Sequence, residues 1–187
     1  MTTEETKLII DHAIASEDHL RMAIKVGLTF DELRRRVVLN FLRALEAELN
    51  SKLGKGWIVQ INCEYCQPEI RHSSWPDQTT IGVGSDSSTF SRMYFWVGRC
   101  STALGRAQLD EELKSALDAR VGPGKTHPNL AWWKLVDRLR NWGEEEALLE
   151  LYRESTSQRY RRDLADRLVE ICYVTSSVLD RQLAPGV

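Results

Sequence analysis

The chain contains no apolar run near the roughly 18 residues that a membrane-spanning helix needs, so no membrane role is expected. It has only four cysteines in 187 residues, and they are scattered. That is too sparse for a disulfide scaffold. The opening MTTEETK does not read as a signal peptide. Together these features predict a protein of the reducing cytoplasm. Excess charge of one sign is also missing. A formal net charge of −2 gives no whole-molecule pull toward nucleic acid or an acidic membrane surface. There is no GxGxxG opening a helix after a strand, no GxxxxGK[ST] and no HExxH. His12, His19, His72 and His127 have no ligand spacing, so no cofactor and no metal are expected. Ser, His and Asp all occur, but nothing in the sequence gathers them into a catalytic group.

What the chain does have is a strand-like stretch, Gly56 to Cys100, between long helical patterns. In WIVQINCEYC (Trp57–Cys66), Trp57, Val59, Ile61, Cys63 and Tyr65 alternate with Ile58, Gln60, Asn62 and Glu64. Side chains in a strand alternate faces, so the first set would face a core. Gln78–Gly84 is a shorter run, with Ile81 and Val83 two apart. Arg92–Cys100 is apolar on both faces: Met93, Phe95 and Val97 on one, Tyr94 and Trp96 on the other. The polar loop Ser85–Ser91 joins these two into an antiparallel hairpin. The spare face of Met93–Val97 makes that strand either central or a binding surface.

Helical periodicity fills the rest. Residues 1–28 read as a helical N-terminal segment, broken where Ser16-Glu17-Asp18 offers a cap and an acidic first turn. Gly27 reads as a stop. Thr29-Phe30-Asp31-Glu32 fits a capping box. Leu33, Val37, Phe41, Leu45, Leu49 and Leu53 then recur every four residues, forming a long amphipathic helix expected to pack across one face of the sheet. Ala107–Arg120 is helical and ends at Gly122-Pro123-Gly124. Trp132, Val136 and Leu139 suggest a helix running to Gly143. Glu144-Glu145-Glu146 opens a short helix, and Ser157 a long final one. The expected architecture is α+β. A small three-stranded antiparallel sheet packs on the long helix within one domain, 1–187, composed of segments 1–28, 29–121 and 129–184.

Candidate chemistry is thin. Cys63-Glu64-Tyr65-Cys66 has CxxC spacing, but three residues apart on a strand would put the sulfurs on opposite faces. Pro76-Asp77 with Glu112-Leu113-Lys114 matches the letters of a PD-(D/E)xK nuclease, whose acids bind Mg²⁺. Glu112 and Lys114 diverge, however, if they lie two apart on a helix. Arg34-Arg35-Arg36 and the arginines from Arg159 onward are interleaved with acids and read as solvated faces. A nucleic-acid groove wants a basic stripe among aromatics, and Tyr94, Trp96 and Arg99 come nearest. Trp75, in a polar connection, is either a core plug or an interface anchor. Trp132 and Trp133 could not both point inward from one helix, so one of them should meet another element or a partner.

Three features recur in a suggestive order: Trp57 opening an aromatic strand, the strand YFWVGR (Tyr94–Arg99), and Ala131-Trp132-Trp133-Lys134-Leu135 in the tail. Over about residues 30–183 this resembles the C-terminal accessory region of phage and bacterial PD-(D/E)xK-superfamily proteins, without the nuclease motif. The resemblance implies an accessory module from a phage or mobile-element setting. The expected function is a non-enzymatic protein-binding module. By analogy it would be an inhibitor of a host defence complex, anti-CRISPR-like. The interaction candidates are Trp75, Tyr94, Trp96 and Arg99, with no catalytic residue. The alternatives are a degenerate Mg²⁺-dependent nuclease using Asp77, or a nucleic-acid-binding accessory protein.

Overall fold

The computed structural model describes residues 3–75, 79–85, 87–99 and 106–183. Asp77 and Cys100 lie outside the described residues. The chain divides into two units, residues 1–36 and 37–187, and each is described by itself.

The described residues of the first unit are helical apart from a turn at residues 14–16. α1 (Thr3–Ala13) breaks before α2 (Glu17–Lys52), whose first twenty residues belong to this unit. Ser16 is the expected cap: its Oγ accepts the His19 backbone N–H at 3.1 Å. The expected stop at Gly27 does not occur. The helix passes through Gly27, and Thr29 is an interior residue whose hydroxyl donates back to the Lys25 carbonyl at 2.9 Å. An interior glycine costs about 1 kcal/mol. Local ion pairs offset part of that cost: Arg21–Glu17 at 2.6 Å, Arg34–Asp31 at 2.9 Å and Arg36–Glu32 at 2.8 Å. The capping-box reading failed because an i−4 hydroxyl bond let Thr29 stay inside the helix.

The second unit is mixed α and β, as expected, but among the described residues its sheet has six strands rather than three. β1 (Trp57–Asn62), β2 (Gln67–His72), β3 (Ile81–Gly84), β4 (Tyr94–Gly98), β5 (Lys125–His127) and β6 (Leu130–Leu135) run in the order β1-β2-β3-β4-β6-β5, every pairing antiparallel. The helices are α3 (Arg106–Arg120), α4 (Glu145–Tyr152) and α5 (Glu154–Leu183). Ser157, expected to cap the last helix, lies inside it and is buried.

The largest revision concerns Trp132–Leu139, read as a helix from its apolar spacing. Residues 130–135 instead form β6, next to β4. A strand resolves the difficulty of two adjacent tryptophans by sending them to opposite faces. Trp132 is fully buried and Trp133 half-buried. The first strand also ends early. Cys63–Cys66 form the turn of the β1–β2 hairpin, where Asn62 Oδ1 accepts the Glu64 and Tyr65 amides at 3.1 and 3.3 Å. The geometry that set the two sulfurs on opposite faces of a strand therefore does not apply.

The register puts Val59, Ile70, Ile81 and Val97 in successive cross-strand pairs on one face, and all four are buried in the core. Across this face α5 runs over β3, with α3 beside it over β6. The long α2 helix, expected from its stripe to lie across the sheet, is not the element that covers it and is tied to α5 instead. Leu164, Leu168, Ile171 and Cys172 face inward from α5. The second half of α2 buries Phe41, Leu45 and Leu49 of the expected stripe, with Val38 and Leu42 beside them, whereas Val37 is half-buried and Leu33 exposed. Its polar ties go to α5: Glu48 to Arg161 at 3.2 Å and Lys52 to Asp166 at 2.5 Å. Phe41 stacks on Tyr160 and meets Trp142 edge-on, with centroids at 5.7 and 5.3 Å. Asp118 closes the end of α3. It accepts from the Gly124 amide at 2.8 Å and the Trp132 indole at 3.0 Å, and it pairs with Lys114. Burial raises its carboxyl pKa, but those donors outweigh it, and the net shift is downward.

Candidate functional site

The opposite face of the sheet follows from the same register. Gly82 pairs with Trp96, Trp96 with Trp133, and Trp133 with Lys125, while Gly84 pairs with Tyr94, and Tyr94 with Leu135. Toward β1 and β2 this face is polar: Gln60 accepts from Arg71 at 3.1 Å and Glu69 from Asn62 at 2.9 Å. Toward β4 and β6 it is aromatic.

The glycines decide its shape. A Cβ at Gly82 would stand 2.6 Å from the Trp96 ring and 2.4 Å from the Pro68 carbonyl oxygen. Glycine thus lets the Trp96 indole lie down on the sheet, and Trp96 is only 8% exposed although it stands outside the main core cluster. Beside this floor Tyr94 and Trp133 stay half-buried, packed edge to face at 5.7 Å. Lys125 Nζ lies 5.6 Å from the Trp133 ring centre, a cation–π contact.

These residues border an open cleft of about 370 Å³, lined by Tyr94, Leu130, Trp133 and Leu135 with Arg92, His127 and the serines 85, 87 and 91. The serine loop is held from behind. Phe90 is buried as a plug, its carbonyl accepts the Trp142 amide at 2.9 Å, and Met93 exchanges backbone bonds with Arg140 and Val136. Phe90 and Arg92 both take φ of 57°, in the left-handed region that ordinary side chains seldom adopt. This backbone sets Arg92 at the rim, exposed to solvent. Ser85 Oγ accepts the Ser87 amide at 3.2 Å and donates to the Ser91 carbonyl.

The four interaction candidates from the sequence do not gather at this cleft. Tyr94 lines it and Trp96 floors the sheet beside it. Arg99 is an internal tie: it pairs with Asp110 at 3.1 Å and donates to the His127 carbonyl at 3.1 Å. Trp75 is a plug, 6% exposed and packed edge-on against Trp57 at 5.0 Å. Trp133, Arg92 and His127 were not among the candidates. The adjacent tryptophans were the available signal for Trp133, once Trp132 is given to the core.

Glu112 and Lys114 are both engaged elsewhere. Glu112 takes Arg181 at 3.1 Å and Gln182 at 2.8 Å, and Lys114 takes Asp118. Among the described residues no group of three or more His, Cys, Asp or Glu side chains is placed to hold a metal ion. No described helix is long and apolar enough to cross a membrane. No family model matches this chain, and no curated protein or solved structure matches it either.

Proposed function

We propose that this protein is a non-enzymatic binding module that engages a protein partner through the aromatic half of its open sheet face. The observation that carries the reading is the Tyr94–Trp133 pair, half-buried at 5.7 Å and opening on the cleft. Rigid Tyr and Trp side chains flanked by an arginine are the composition of an interface hot spot. Here the strands and the pinned serine loop hold them in place, so little side-chain entropy is lost on binding. The phage or mobile-element setting implied by the sequence resemblance suggests a partner in a host defence complex. The test is a parallel pull-down with the wild type and Tyr94→Ala/Trp133→Ala from cells carrying the gene. A partner retained by the wild type and lost by the variant supports the reading. A partner captured equally by both contradicts it.

A second reading is single-stranded nucleic acid. Lys125, Arg92 and His127 around an aromatic pair favour it. Against it stand the net charge of −2 and the burial of Trp96, which leaves only two rings to stack on. Binding to short oligonucleotides that weakens steeply with salt would favour this reading over the first.

A further inference from the structure

The first unit poses a separate problem. Between Leu8 and Leu33, eleven large apolar side chains are 39–81% exposed, Leu28 the most. Isolated helices of such composition are marginal in water, because helices in proteins draw most of their stability from a covered apolar face. In α2 the apolar residues form two stripes. Leu20, Ile24 and Leu28 recur every four residues on one side. Met22, Val26, Phe30 and Leu33 lie on the other. A helix resting on a membrane surface has one apolar face and one charged face. Two opposed stripes call for a helical neighbour on each side.

We infer that the occupant is a second copy of this chain, and that residues 1–36 form a self-association arm with antiparallel pairing. Two observations point to a copy rather than to an unrelated protein. The first is area. The exposed apolar side chains amount to on the order of 1,000 Å² per chain, against the ~800 Å² per partner of a stable interface. Two copies also bring four helices together, so each stripe can find a neighbour. The second is charge. Residues 4–18 hold five carboxylates and one lysine, whereas residues 19–36 hold five cations and two carboxylates. The acidic half of one arm therefore complements the basic half, Arg34 to Arg36 included, of another arm running the opposite way. A two-fold axis makes both contacts at once, because such an interface is self-complementary.

Sedimentation equilibrium on the full chain tests this. The wild type is expected at twice the chain mass, and Ile24→Glu/Leu28→Glu at the chain mass. All six tryptophans lie between residues 57 and 142, so the tryptophan bands of the near-ultraviolet circular dichroism report the second unit and should be unchanged in that variant. A charge arm gives an independent reading. Arg34→Glu/Arg35→Glu/Arg36→Glu and Glu4→Lys/Glu5→Lys/Asp11→Lys should each be monomeric, and their mixture should recover the double mass. A monomeric wild type overturns the inference, whether it remains alone or co-sediments with phosphatidylserine vesicles. So does a dimer that survives Ile24→Glu/Leu28→Glu, or charge variants that stay monomeric when mixed.

Discussion

Gly82 and Trp96 sit directly opposite each other on β3 and β4, and the absence of a Cβ at Gly82 lets the indole lie flat against the sheet. A methyl group there meets the ring at 2.6 Å and a backbone oxygen at 2.4 Å, and the backbone oxygen cannot swing away. Gly82→Ala should therefore cost about 1–3 kcal/mol, the usual range for forcing volume into a packed site. Urea denaturation followed by tryptophan emission measures it. An unchanged midpoint would mean that the close approach does not constrain the ring.

Asp118 offers a prediction with a pH sign. Its folded carboxyl is held below the ordinary range by Lys114, Gly124 and Trp132, against the opposing effect of burial. A depressed folded pKa contributes stability that is present above the unfolded value and is lost as pH falls through the folded one. Asp118→Asn should thus be less stable than the wild type by about 1–3 kcal/mol at neutral pH. The gap should close as the pH is lowered through the carboxyl range. Denaturation midpoints for both proteins across that range check the slope.

Tyr160 joins two elements through one hydroxyl. It accepts the buried Trp142 indole N–H at 3.1 Å and donates to the Arg138 carbonyl at 3.1 Å. Burial pushes its pKa well up, so it stays a donor throughout the physiological range. Tyr160→Phe keeps the ring stack on Phe41 but leaves an indole N–H unpaired in the core, at a cost of about 1–3 kcal/mol. A wild-type-like melting temperature for this variant would contradict the assignment.

Thiol reactivity separates the cysteines. Cys172 is fully buried on α5, and burial raises its thiol pKa, whereas Cys63 is exposed in the β1–β2 turn. Iodoacetamide labelling with peptide mapping should modify Cys63 in the native protein and Cys172 only after unfolding. Fast native labelling at Cys172 would show that α5 opens readily.

Sequence pattern revealed the parts of the fold where one force dominates. The stripe from Val38 to Leu49 and the α3 helix are covered on one side by core, and a helical period expresses that directly. The apolar alternation of Ile81, Val83, Phe95 and Val97 did the same for β3 and β4. β2 was hidden because Gln67-Pro68-Glu69 carries a proline and charge. β5 was hidden because all three of its residues are exposed. β6 was misread because Trp132, Val136 and Leu139 fall at helical spacing by coincidence, Val136 lying beyond the strand's end. The site was legible through Tyr94, the spare face of its strand, and the adjacent pair Trp132-Trp133, one of which had to leave the core. Its other wall comes from β6 and the β5 hairpin, some thirty residues away in sequence, and only cross-strand pairing brings them together.

The central claim is that the Tyr94–Trp133 cleft is the binding surface. Its most direct test is the affinity of the purified partner for the wild type and for Tyr94→Ala/Trp133→Ala, by titration calorimetry, with both proteins shown to be equally folded. Loss of a central aromatic anchor costs about 2 kcal/mol or more, so the double variant should bind roughly 30-fold more weakly or worse. Equal affinity would contradict the account and move the interface off this face of the sheet.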